Sequence, residues 1–155
     1  MAKKSKKTAS PEELAAQRGK FEDYLQYMDD SLEALIAFAK SLNRPELLPL
    51  DYTFESLDRL EHLYELVLSG DAKPDVSEDK FRTRLATYLG ETRRKNLGGK
   101  WKLEEDPDLA TYGLPGLGEM PGFKPEFLMT PLLPVKNFAG SRKKGQFRDF
   151  AEYRM

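Results

Sequence analysis

The chain has 155 residues, no cysteine, and 33% charged side chains against 39% hydrophobic ones. Such a length allows one domain with a core of its own, and the lack of cysteine excludes disulfides, thiolate metal sites and cysteine nucleophiles. The formal net charge of −1 conceals a division: residues 21–79 carry four basic and fifteen acidic side chains, whereas residues 80–102 carry eight basic and one acidic.

Surfaces of opposite sign follow from that division, and they bias partners and encounter rates rather than the fold. No apolar run approaches the roughly 18 residues of a membrane-spanning helix. The N-terminus lacks the apolar middle of a signal peptide. A cytoplasmic protein without a membrane association is therefore expected.

Residues 1–9, MAKKSKKTA, are basic and without apolar periodicity, the pattern of a disordered tail, and residues 10–155 are expected to form one domain. Ser10, Pro11 and Glu13 then supply an N-cap, a first-turn proline and the acid of a capping box. The helix predicted over 11–42 carries a seam of Leu14, Phe21, Leu25, Met28, Leu32, Leu35, Ala39 and Leu42. Arg18 interrupts it, and Gly19 is the expected division between a short first helix and a main one over about 20–42. Tyr24, Tyr27, Ile36 and Phe38 widen the stripe to that of a helix crossing a globular core. A homodimer through the 20–42 helix is the alternative use of the same face.

Pro45 and Pro49 end that helix, and Thr53 caps a second one over 54–69, closed by Gly70. The only histidine, His62, lies on it between Asp58 and Glu65 at helical spacing. One histidine without cysteine cannot assemble a usual zinc set, so no metal site and no cofactor are expected. Ser77 caps a third helix over 78–96, with Phe81, Leu85, Tyr88 and Leu89 inward and Arg82, Arg84, Arg93, Arg94 and Lys95 at the rim and solvent side. Gly90 within it predicts the close approach of another element. Glu91, the lone acid among eight bases, predicts an ion pair or hydrogen bond.

Asn96-Leu97-Gly98-Gly99 ends the helix and reverses the chain. Lys100 to Glu104 alternates polar and apolar, which reads as a strand; Glu105 to Asp108 reads as a turn and residues 109–112 as the return strand. Residues 113–122 hold four glycines and two prolines, in neither phosphate-loop order, and read as a loop over the sheet edge. Residues 123–135 read as proline-broken extended segments, and 146–153 as a final helix with Phe147, Phe150 and Ala151 on one face. The fold class expected is α+β: helices over 11–42, 54–69 and 78–96, a small antiparallel hairpin, an irregular proline-rich segment and a C-terminal helix.

The segments LDYTFESLDRLE (50–61) and YLGETRRKNLGGKW (88–101) together resemble a pattern in small bacterial α+β proteins of uncharacterised function. Some of these are encoded beside toxins and behave as immunity or accessory proteins. The resemblance covers about 50 residues, with Tyr88, Gly90, Glu91, Gly98, Gly99 and Trp101 at the pattern positions, and it implies an α+β fold without a catalytic signature.

Three functional readings follow. The first is a non-catalytic protein-interaction or immunity-like accessory protein that binds another protein, suggested by segregated charge and the lack of a catalytic set. The second is nucleic-acid binding through the basic 80–102 stretch with Trp101 or Tyr112 stacking, against which stands a pI near 6.0. The third is a carboxylate-dependent enzyme with Glu91 as acid or base. The candidate binding residues, for an interaction surface or a groove, are Tyr88, Glu91, Arg93, Arg94, Lys95, Trp101 and Tyr112.

Overall fold

Ser10, Thr53 and Ser77 each accept, through the side-chain oxygen, the backbone N–H three residues further on, at 3.1, 3.2 and 3.2 Å. Each satisfies an orphan donor of a first turn, and three helices begin where the sequence places them. In the computed structural model, which describes residues 8–154, these are α1 (Pro11–Gln26), α3 (Phe54–Leu68) and α4 (Glu78–Leu97), with α2 (Met28–Ser41) between the first two. All but two residues of the expected disordered tail lie outside the described residues.

The expected division at Gly19 is not made: α1 runs through it, and the break falls at Tyr27, whose φ and ψ of −97° and 8° belong to neither helix. A mid-helix glycine costs only about 1 kcal/mol relative to alanine, too little to end a helix by itself. Packing sets the break. Met28, Leu32, Leu35 and Ala39 of α2 enter the core, whereas α1 buries none of its residues. The seam expected to run through both helices thus faces the chain's own core in α2 and leaves Leu25 and Tyr27 exposed at the junction.

Helix α4 is the axis of the fold. Every residue from Leu85 to Arg93 is buried, so the helix is enclosed on all sides rather than amphipathic. Leu57, Leu60 and Leu63 of α3 and Leu35 of α2 complete the main core around it. The placement of Arg93 at the rim is corrected accordingly: its side chain is among the largest fully buried ones.

Gly98 and Gly99, at φ of 89° and 124°, turn the chain back from α4 in a conformation that only glycine adopts without strain. Strand β1 (Lys100–Leu103) follows and pairs antiparallel with β2 (Pro115–Gly118), Trp101 opposite Leu117. The return strand is therefore not 109–112. Residues 106–112 form successive turns, Leu109 N–H donating to Asp106 and Tyr112 N–H to Leu109.

The true partner is the glycine-rich stretch that reads as a loop. Its glycines admit a third segment: a Cβ on Gly116 would lie 3.2 Å from the Met129 carbonyl oxygen, and one on Gly118 2.6 Å from Leu128. Leu117 and Met129 exchange both backbone hydrogen bonds at that crossing. Residues 132–135, the end of the segment expected as extended, instead begin α5 (Leu132–Ser141), in which Pro131 is the cap and Pro134 falls within the first turn, where no helical N–H is needed. A final helix, α6 (Gln146–Glu152), closes the α+β fold.

The least space at any glycine is at Gly90 beneath Trp101, where an added Cβ would lie 2.3 Å from the indole Cη2 and 3.0 Å from Pro131. Gly90→Ala should therefore destabilise by about 1–3 kcal/mol in chemical denaturation, despite the gain of up to about 1 kcal/mol in helix propensity. Equal or higher stability would show that β1 is not held by this contact.

Candidate functional site

Trp101 covers Gly90, and its indole N–H reaches the next residue of the helix, donating to Glu91 Oε1 at 2.7 Å. Arg94 donates to both oxygens of the same carboxylate, at 2.6 and 2.9 Å, from the following turn of α4. Burial raises the pKa of Glu91, but the bonds from Arg94 and Trp101 and the charges of Arg94 and Lys95 outweigh it. The carboxyl is held below its ordinary value. The expected ion pair is present, in a geometry that anchors β1 to α4.

Tyr88 lies on another face of α4, fully buried and stacked on Tyr52 at 4.6 Å between centroids. Its hydroxyl accepts Tyr52 N–H at 2.9 Å and, because Ser56 gives its own proton to Thr53, donates to Ser56 Oγ at 2.7 Å. Lys95 is exposed, its ammonium 5.0 Å above the Tyr52 ring.

Arg93 points away from all of these. Its Nη1 donates to three carbonyl oxygens at the end of α6, those of Phe150, Ala151 and Tyr153, at 3.4, 2.9 and 2.7 Å. Its guanidinium carbon lies 5.5 Å from the centre of the Phe123 ring. Burial and the neighbouring Arg154 lower its pKa from the ordinary value.

At the opposite end of α6, the buried carboxylate of Glu61 accepts Gly145 N–H at 2.9 Å and Phe147 N–H at 2.8 Å. Burial raises the pKa of Glu61, and Asp58 and Asp149 add to that against the two backbone bonds. A seven-residue helix is thus held by an acid at its N-terminus and a base at its C-terminus, the signs that complement its dipole.

The predicted set is therefore divided rather than gathered. Glu91, Arg94 and Trp101 form one connected unit, Tyr88 and Lys95 meet Tyr52, and Arg93 holds α6. Tyr112 joins none of these units and donates to Glu13 at 2.5 Å, replacing the capping-box role expected of that acid. Much of the basic stretch is engaged as well: Arg82 pairs with Glu78 and Asp79, and Lys102 with Glu119. Among the eight bases, only the side chains of Lys80, Arg84 and Lys100 make no hydrogen bond, ion pair or ring contact among the described residues.

Two surfaces that the residue pattern did not single out remain. One is a cavity of ≈ 360 Å³ beneath α1, between Gln17, Lys20 and Phe21 on one side and Thr83, Leu103 and Tyr112 on the other. Gln17, Phe21 and Tyr24, three and four residues apart on one face of α1, were its trace in the sequence. The other is the α1–α2 junction, where Leu25 and Tyr27 are 41% and 55% exposed among Glu22, Asp23, Asp29, Asp30 and Glu33, all exposed. His62 and Glu65, 3.7 Å apart, line a second cavity, of ≈ 260 Å³, with Asp58 and Lys144. Among the described residues no three acids or histidines are placed to hold a metal ion, and no helix is long and apolar enough to cross a membrane.

No protein-family model matches the chain, and neither curated proteins nor solved structures give a match.

Two outcomes follow from this geometry. Arg93→Met should lower stability by about 2–3 kcal/mol, because three carbonyls lose a charged donor, and amide exchange should rise first in α6. Because the folded pKa of Glu91 lies below its ordinary 4.5, its stabilising contribution is complete above that pH and is lost as pH falls through the folded value. Glu91→Gln should therefore flatten the acid side of the stability–pH curve, which denaturation at stepped pH below 4.5 will measure.

Proposed function

We propose that the chain is a non-catalytic interaction protein that binds a basic surface of another protein through the α1–α2 junction. The observation that carries this reading is the run of five exposed acids, Glu22, Asp23, Asp29, Asp30 and Glu33, that flank exposed Leu25 and Tyr27 along the chain, with no ion pair to any of the five among the described residues. Folding does not account for all of them. Asp29 and Asp30 complement the dipole at the start of α2, but Asp23 stands in the last turn of α1, which has no basic residue and where an acid is unfavourable. Asp29 and Glu33, one turn apart, repel each other.

An acidic rim around an apolar centre suits protein recognition: the centre excludes water and the charges speed encounter with a basic partner. The engagement of the basic stretch supports the same reading over nucleic-acid binding, since five of its eight cations already serve internal contacts. The buried carboxylates support it over catalysis, because both oxygens of Glu91 and of Glu61 are occupied by structural donors. The resemblance of residues 50–61 and 88–101 to immunity-like accessory proteins points the same way and suggests a toxin-like partner.

Affinity capture from the native host at low ionic strength should yield a stoichiometric basic protein that is released by added salt. The doubly reversed variant Asp29→Lys, Glu33→Lys should keep or slightly raise thermal stability and lose capture by about tenfold or more. Equal capture by the reversed variant, or the absence of any stoichiometric partner, would overturn the proposal.

A further inference from the structure

We infer that the cavity beneath α1 is a binding site for a small amphipathic molecule with a planar apolar body, one anionic group and a hydrogen-bond donor. Its volume of ≈ 360 Å³ lies within the roughly 300–1,000 Å³ typical of small-molecule sites. The walls supply aromatic faces from Phe21 and Tyr24 and apolar contact from Leu103 and Pro115. An apolar slot of ≈ 60 Å³ continues inward, shares Tyr24, Thr83 and Pro115 with the cavity, and ends on Ala86, Trp101 and Pro131. A flat ring system can enter between the two without meeting a charge.

Lys20 is the one charged side chain in the lining, and no hydrogen bond or ion pair engages its ammonium among the described residues. Glu13 stands near the cavity but accepts the Tyr112 hydroxyl, and Glu105 is taken by Arg18. Lys20, as the one charged side chain of the lining, is the group that receives an anion. Gln17 adds the third requirement: its carbonyl oxygen is buried in the wall without a hydrogen-bond partner, a position that a ligand N–H would satisfy.

Access is provided by α1 itself. The helix buries no residue, ends at the irregular Tyr27, and is tied to residues 105–112 by two side-chain contacts, Arg18 to Glu105 and Tyr112 to Glu13. Inside, Phe21 and Tyr24 join it to the core, Tyr24 giving its proton to Thr87, which itself donates to Thr83, and meeting Trp101 edge-on at 5.6 Å. Such weakly buried elements open locally without global unfolding.

The probe is 8-anilinonaphthalene-1-sulfonate, which carries a planar body, a sulfonate and an N–H, and Trp101 is the only tryptophan to report on it. Titration of the full chain should give saturable 1:1 binding with energy transfer from Trp101. Lys20→Glu should weaken binding by about tenfold or more, and Thr83→Phe, which fills the mouth from an exposed position, should abolish it, with both variants retaining the circular dichroism and thermal midpoint of the parent. Phe127→Ser, at an exposed aromatic elsewhere, should leave the affinity unchanged. Absence of saturable binding, indifference to Lys20→Glu and Thr83→Phe, or loss of binding in Phe127→Ser would each overturn the inference.

Discussion

The contact on which the rest of the structure depends is the seating of Trp101 on Gly90, fastened by the indole N–H to Glu91. It is the point where the helical part of the chain and the sheet meet. A residue without a side chain lets the ring approach the helix backbone, and the next residue supplies the acceptor that fixes the ring's orientation. Because Trp101 lies opposite Leu117, and Leu117 bridges to Met129, the position of one indole sets the small sheet and the start of α5. Without Gly90 the ring would stand off the helix, and the carboxylate would be left buried with one donor fewer.

Charge is used inside this molecule as much as outside it. Glu61, Glu91 and Arg93 are buried ionisable groups, and each holds one element to another: Glu61 and Arg93 fasten the two ends of α6 to α3 and α4, and Glu91 fastens β1 to α4. A short helix such as α6 has little propensity to form alone. Its stability comes from apolar burial of Phe147 and Ala151 and from two charges that match its dipole. The consequence for function is indirect but strong. With five of the eight cations of the basic stretch drawn inward or paired, the exposed acids of α1 and α2 flank two exposed apolar side chains.

The helix that carries part of that face is also the least buried element. α1 has to satisfy the hairpin loop on one side and the α2 junction on the other, and it does so mainly with contacts at its surface. This looseness belongs to the region where both proposed recognition events occur, the protein partner at the junction and the small ligand beneath the helix. Elements that bind or admit ligands are drawn from the low-stability end of a fold, because a deeply packed one could not move. The Tyr24 hydroxyl and ring link α1 inward to the Trp101 region, so the two halves of the molecule share an aromatic contact.

The sequence by itself determined the local features: the helix starts at Ser10, Thr53 and Ser77, the glycine reversal after α4, the first strand, the close approach at Gly90 and the partnered state of Glu91. These rest on capping, positive φ and periodicity, which act over a few residues. Tertiary structure alone decided the rest. The break at Tyr27 answers to where α2 packs, not to Gly19. The glycine-rich stretch became a strand because a third segment needs the space that side chains at Gly116 and Gly118 would occupy, and 109–112 lost the pairing to it. Arg93, in a basic run that reads as solvent-facing, is buried because the carbonyls it holds lie almost sixty residues further along the chain. Proximity between such distant segments is a property of the packed chain, and no local pattern encodes it.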